Sequence, residues 1–139
     1  MPIDIHKRIE TSFAAQSMMT TFGAKLAQVE PGAVHITAPI LPGSLQQQGF
    51  AHAGLTFSIG DSAAGYSALT TLPADREVVT AEIKINLLAP ARGDHLIAKG
   101  RIIKPGRRLI VVAADVYALE GASETLVAVL QGTMVPVAV

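Results

Sequence analysis

The chain has 139 residues, enough for one domain with a full core and too few to divide comfortably, so a single domain over residues 1–139 is expected. Half of the residues are hydrophobic and only 16% are charged, which leaves less polar surface than a monomer of this size usually shows and points to burial between subunits. Basic and acidic residues balance at 11 each, which removes any global field to gather nucleic acid, and the absence of cysteine excludes disulfides, thiolate metal sites and a thiol nucleophile. No apolar run approaches the roughly 18 residues of a membrane-spanning helix. The start, Met1-Pro2-Ile3-Asp4, lacks the basic and apolar regions of a secretion signal, so a cytoplasmic protein without membrane contact is expected.

From Asp4 to about Phe22, the apolar positions Ile5, Ile9, Phe13, Met18 and Phe22 recur every four to five residues between polar ones, which predicts one surface helix with a buried stripe. Leu26–Val29 and Ala33–Ala38 flank Glu30-Pro31-Gly32, where proline presets φ and glycine accepts a positive one; this is a hairpin signal. His35 falls on the less apolar face of the second arm and reads as a partly exposed strand residue. Pro39 and Pro42-Gly43 end that arm, and a glutamine-rich loop, Gln46 to Gln48, leads into an apolar helix that begins near Ala53. After the break Leu72-Pro73-Ala74-Asp75, residues Glu77 to Leu88 alternate Ile83, Ile85 and Leu87 against Glu82, Lys84 and Asn86, as a strand with one buried face does. Turns at Pro90–Asp94, Pro105-Gly106 and Gly121–Ser123 separate strands at His95–Lys104, Arg107–Leu119 and Thr125–Val135. The run Leu109–Ala114 does not alternate, which predicts a central strand covered on both faces, by the helix and by a partner subunit. Together these elements predict an α+β domain with one sheet, closed on a single long helix and finished by an antiparallel meander.

The chemistry concentrates on that helix. Its first backbone N–H groups, those of Ala53 and Gly54, have no helical partner, and they carry the positive end of the helix dipole. Small residues there, with Gly49 in the turn before, let a carbonyl approach the main chain and its oxyanion be stabilised. Asp61 is an ionisable group in the middle of an otherwise apolar helix, where propensity does not favour it. It is either a structural acid, bonded to hydroxyls such as those of Ser58 or Ser62, or a reacting group. Eight residues separate it from Ala53, so its backbone is about 12 Å farther along the axis, too far for one carbonyl group to meet both. A second, antiparallel copy of the helix would bring the acid of one chain to the N-terminus of the other and make two equivalent sites per dimer. His52 is read as orienting the helix start or as an acid–base group. Ser58, Ser62 and Ser67 lie outside any G-x-S-x-G elbow, and four scattered histidines suggest no metal site. Gly60 and Gly65 are read as packing glycines, and Arg92, Arg107 and Arg108, at turns, could hold phosphates.

Gln46, Gly49, His52-Ala53-Gly54 and Asp61, followed by Ile83–Asp94, resemble the signature of the hotdog-fold acyl-CoA thioesterases, in the branch with phenylacetate-pathway and 4-hydroxybenzoyl-CoA thioesterases. Ala53 stands where the family usually has its first glycine, which keeps the N–H donor and narrows the approach. The resemblance implies a hotdog fold, an antiparallel sheet wrapped around one central helix. It also implies hydrolysis of acyl-CoA to free acid and coenzyme A, with Asp61 as nucleophile or general base. It further implies that the Ala53 N–H with Gly54 polarises the carbonyl and that Gln46 helps bind or orient it. Gly49, His52, Gly65, Asn86, Arg92, Arg107 and Arg108 fall to substrate binding. Gly65 stands where some relatives carry a water-orienting hydroxyl. No metal or cofactor is implied, coenzyme A being part of the substrate, and the expected assembly is a homodimer or a dimer of dimers. The competing functions are a non-catalytic acyl-CoA-binding module and a hotdog enoyl-CoA hydratase or dehydratase. The latter is disfavoured because Leu41-Pro42-Gly43 stands where one major dehydratase branch has His before Pro-Gly.

Overall fold

The computed structural model describes residues 3–139. The chain opens with helix α1 (Ile5–Ala14), whose N-terminus is capped by the Asp4 carboxylate accepting from the Lys7 N–H at 3.1 Å. The single helix expected as far as Phe22 is in fact two, because the backbone leaves helical dihedrals at Gln16 before α2 (Ser17–Thr21). The tertiary structure explains the break: the Gln16 side chain donates to the Tyr66 hydroxyl at 2.7 Å, a contact made from the corner between the two helices.

Strands β1 (Lys25–Glu30) and β2 (Ala33–Pro39) form the expected hairpin, with Gly32 at φ +77° in its turn. Helix α3 (Ala53–Leu69) follows, then β3 (Arg76–Leu87), β4 (His95–Lys104), β5 (Ile110–Glu120) and β6 (Ser123–Ala138). The six strands make one antiparallel sheet in the order β1-β2-β4-β5-β6-β3. The expected meander of three or four strands is present with three, β4–β6, while β3 crosses to the far edge and pairs with β6. The cause is α3, which lies across one face of the sheet and carries the chain from β2 past the other strands before β3 can pair.

Leu55, Ile59, Ala63 and Leu69 of α3 are buried in one core with Val34, Ile36, Leu96, Ile110, Val112, Val116 and Met134 of the sheet. Helix and sheet touch at backbone level at Gly100, where a Cβ would stand 2.4 Å from the Ala63 carbonyl oxygen. The buried hydroxyls of α3 serve the β1–β2 hairpin: Ser67 accepts from the Val34 N–H at 3.0 Å, and Thr70, just past the helix, from the Gly32 N–H at 2.8 Å. On β5, Ile110, Val112, Ala114 and Val116 face the helix. The opposite face carries Val111, Ala113 and an Asp115–Arg101 ion pair at 3.1 Å, with no further element of the chain laid over it among the described residues.

Strand β3 differs from the plain alternation expected of it. A bulge between Thr80 and Glu82 interrupts its pairing with β6. Ile83 and Ile85 are only half-buried and Leu87 is exposed, because β3 is an edge strand with nothing beyond it among the described residues. No helix among the described residues is long and apolar enough to cross a membrane.

Candidate active site

The loop before α3 is held by its own polar groups. The Gln46 side-chain oxygen accepts from the N–H groups of Gln48 and Phe50, and its amide nitrogen donates to the Gln48 side chain at 3.1 Å. Gly49 turns the loop at φ +87°. The Ala51 N–H then donates to the Ala91 carbonyl at 2.9 Å, tying the loop to the segment after β3. His52 is the N-cap of α3: its Nδ1 accepts from the Gly54 N–H at 2.7 Å. One of the two expected oxyanion donors is thereby occupied within the chain. The Ala53 N–H has no acceptor among the described residues, and Ala53 lines a cavity of about 530 Å³ together with Gln46–Gln48, Phe50–His52, Thr56, Leu87–Ala91 and Val127.

Asp61, ninth of the 17 residues of α3, lies at a different cavity of about 240 Å³. Ser12, Gln16, Ser62, Gly65, Tyr66 and Thr80 share this space with Val78 and Met134. The two cavities have no lining residue in common. The structural partners expected for the acid are engaged elsewhere: Ser58 donates to the Gly54 carbonyl at 2.7 Å, and Ser62 to the Gln16 side chain at 3.5 Å. Asp61 Oδ1 instead accepts from the Thr80 hydroxyl at 2.7 Å, and Tyr66 is bonded to Ser12 at 3.1 Å and to Gln16. Neither Thr80 nor the Ser12–Gln16–Tyr66 group stood out in the sequence.

The remaining residues assigned to substrate divide between distant places. Arg92 sets its guanidinium 5.1 Å from the centre of the Phe50 ring, beside the Ala53 cavity. Asn86 lies on the outer face of the sheet with Glu82, Lys84 and Arg101, apart from both cavities, because it has the opposite parity to Leu87 on β3. Arg107 and Arg108 are exposed in the β4–β5 turn, at the end of the sheet away from the α3 N-terminus. His35 pairs across the strands with Lys99, and burial and that charge lower its pKa; it lines neither cavity. Among the described residues, no group of three or more His, Asp and Glu side chains gathers as a metal site would.

One helix thus carries a backbone N–H without an acceptor among the described residues at its start and a carboxylate at its middle, each at a cavity of its own. Residues 48–125 match the thioesterase superfamily, over more than half of the chain. The chain belongs to that superfamily. The solved structure of a thioesterase family protein from Silicibacter pomeroyi superposes with a TM-score of 0.95 at 34% identity, over 97% of this chain and 99% of that one. The PaaI protein of the Escherichia coli phenylacetic acid degradation operon has the same fold, with a TM-score of 0.86 at 18% identity over 96% and 93% of the two chains. A candidate esterase of Saccharolobus solfataricus is 41% identical over 75 residues, which is 54% of this superfamily member and 48%, about half, of the relative's own length. The hotdog architecture expected from the resemblance is the one observed: six antiparallel strands packed on one long helix.

Proposed function

We propose that the chain hydrolyses acyl-CoA thioesters to a free acid and coenzyme A, in a homodimer where each site takes its acid from one chain and its oxyanion donor from the other. The observation that carries this reading is the course of β3. Its first residues, Glu77, Val78 and Thr80, line the Asp61 cavity, and its last, Leu87, lines the Ala53 cavity. Its outer edge is unpaired among the described residues. A two-fold axis across that edge runs a second β3 antiparallel to the first, so the Asp61 cavity of one chain meets the Ala53 cavity of its mate.

In such a site the Ala53 N–H donates to the thioester oxygen as it becomes an oxyanion, with the dipole of α3 behind it. Asp61 either attacks the acyl carbon or takes a proton from the attacking water. The carbon–sulfur bond breaks, coenzyme A leaves as the thiol, and water supplies the oxygen and proton that complete the acid. Gln46 acts by holding the loop in shape, and Arg92 stands where it can receive a phosphate of coenzyme A.

Two variants test the division of labour. Asp61→Asn removes the acid and lowers kcat at least about 10²-fold, the low end for acid–base catalysis. Ala53→Pro removes the donor at the first helical position, where proline is well accepted; His52 already has the extended dihedrals that a residue before proline needs. Each variant alone is inactive. Unfolded together and refolded as a mixture, they regain about a quarter of wild-type thiol release, because half of the dimers are mixed and each holds one intact site. No recovery, with mixed dimers shown by mass spectrometry, refutes a shared site. Trapping with hydroxylamine then separates the two roles of Asp61, since only an anhydride formed by the nucleophile leaves a hydroxamate on its side chain.

A further inference from the structure

We infer that Thr80 is a positioning residue for Asp61, and that the bulge in β3 exists to aim it; the inference rests on the proposed hydrolytic role of Asp61. Along the second half of β3, Ile83, Ile85 and Leu87 face the helix side while Glu82, Lys84 and Asn86 line the outer face. Continued backward without interruption, that alternation puts Thr80 on the outer face, away from α3. The register shift between Thr80 and Glu82 adds one residue, Ala81, and reverses the parity. Val78 and Thr80 consequently stand on the helix side, in the wall of the Asp61 cavity.

From there the Thr80 hydroxyl donates to Asp61 Oδ1 at 2.7 Å and lies 3.3 Å from the Met134 sulfur. The hydroxyl has one proton to give, and the carboxylate is the stronger acceptor. With Oδ1 held, rotation of the carboxylate is restricted, while Oδ2 has no partner among the described residues and is left for the reaction. A hydroxyl one helical turn after the acid is missing in this chain, where Gly65 stands; Thr80 brings a hydroxyl to the same carboxylate from the sheet instead.

The test compares Thr80→Val, Thr80→Ser and Asp61→Asn in a thiol-release assay on the best acyl-CoA of a panel, with the melting temperature of each variant. Valine keeps the β-branched shape that suits a strand and lacks only the hydroxyl. The expected result is a kcat about 10-fold lower for Thr80→Val at an unchanged KM, most of it restored by Thr80→Ser, with Asp61→Asn inactive. Full kcat in Thr80→Val beside an inactive Asp61→Asn overturns the role of Thr80 and leaves that of Asp61 standing. Equal losses in the valine and serine variants overturn it too, since they indicate packing. Full activity in Asp61→Asn removes the catalytic acid itself.

Discussion

His52 ends its backbone in an extended conformation and turns its ring back to accept from the Gly54 N–H, which leaves the Ala53 N–H without an acceptor among the described residues. A cap of this kind contributes about 1 kcal/mol. His52→Ala should therefore lower stability by about that amount in urea unfolding, while His52→Asn, a good cap, should recover most of it. At this scale the sequence was informative wherever helix geometry decides the outcome. The start of the helix at Ala53 and the separation of Asp61 from it both follow from counting residues along one axis. It was uninformative wherever long-range pairing decides. Thr80 is 19 residues from Asp61 and reaches it through a bulge that no period-2 pattern announces. Asn86, attached to the same segment by resemblance, is carried to the outer face by that parity. Gln46 was legible as a loop residue, yet the use of its side-chain oxygen on two N–H groups of its own loop depends on how the loop closes.

Elements of this fold are held at fixed separation by what they lack as much as by what they bury. At Gly100, β4 has no side chain and the Ala63 carbonyl of α3 occupies the place of a Cβ, at 2.4 Å. Gly100→Ala must push helix and sheet apart, and overpacking of this kind costs about 1–3 kcal/mol. Gly43→Ala, where a Cβ meets nothing within 4 Å, is the control and should be neutral; thermal melts of the two proteins check the contrast. The N-terminal helices are anchored differently. The Arg8 guanidinium of α1 donates to the carbonyls of Leu72 at 2.6 Å and Pro73 at 3.1 Å, and also to that of Arg76, and so gathers the chain leaving α3. The periodicity of α1 showed a buried stripe, and Ile9 is indeed buried, but the corner at Gln16 arises from a bond to Tyr66, 50 residues away. Strand order escaped the sequence for the same reason, since hairpin turns report neighbours in the chain while β3 pairs across the sheet with β6.

At the scale of the molecule, β3 presents an edge of 12 residues that is unpaired among the described residues, with Val79, Leu87 and Leu88 at least half exposed beside it. An edge of this length and character invites another strand. If two chains join there, Val79→Lys with Leu87→Lys should yield a monomer in analytical ultracentrifugation and abolish thioester hydrolysis in the same sample. A monomer that keeps full turnover would show that each chain holds a complete site. The run Leu109–Ala114 predicts cover by a partner subunit on its second face; within one chain that face of β5 carries Val111, Ala113 and Asp115, and composition could not point to the β3 edge, because it does not say which strand ends the sheet. The division of one helix into a donor end and an acid middle also has a consequence for the response to dilution. If the chains pair as proposed, then below the concentration at which they do so the rate should fall roughly as the square of the amount of protein, with every chain still folded. Substrate that touches both chains would oppose that loss by mass action, so the enzyme would be held together by the compound it consumes.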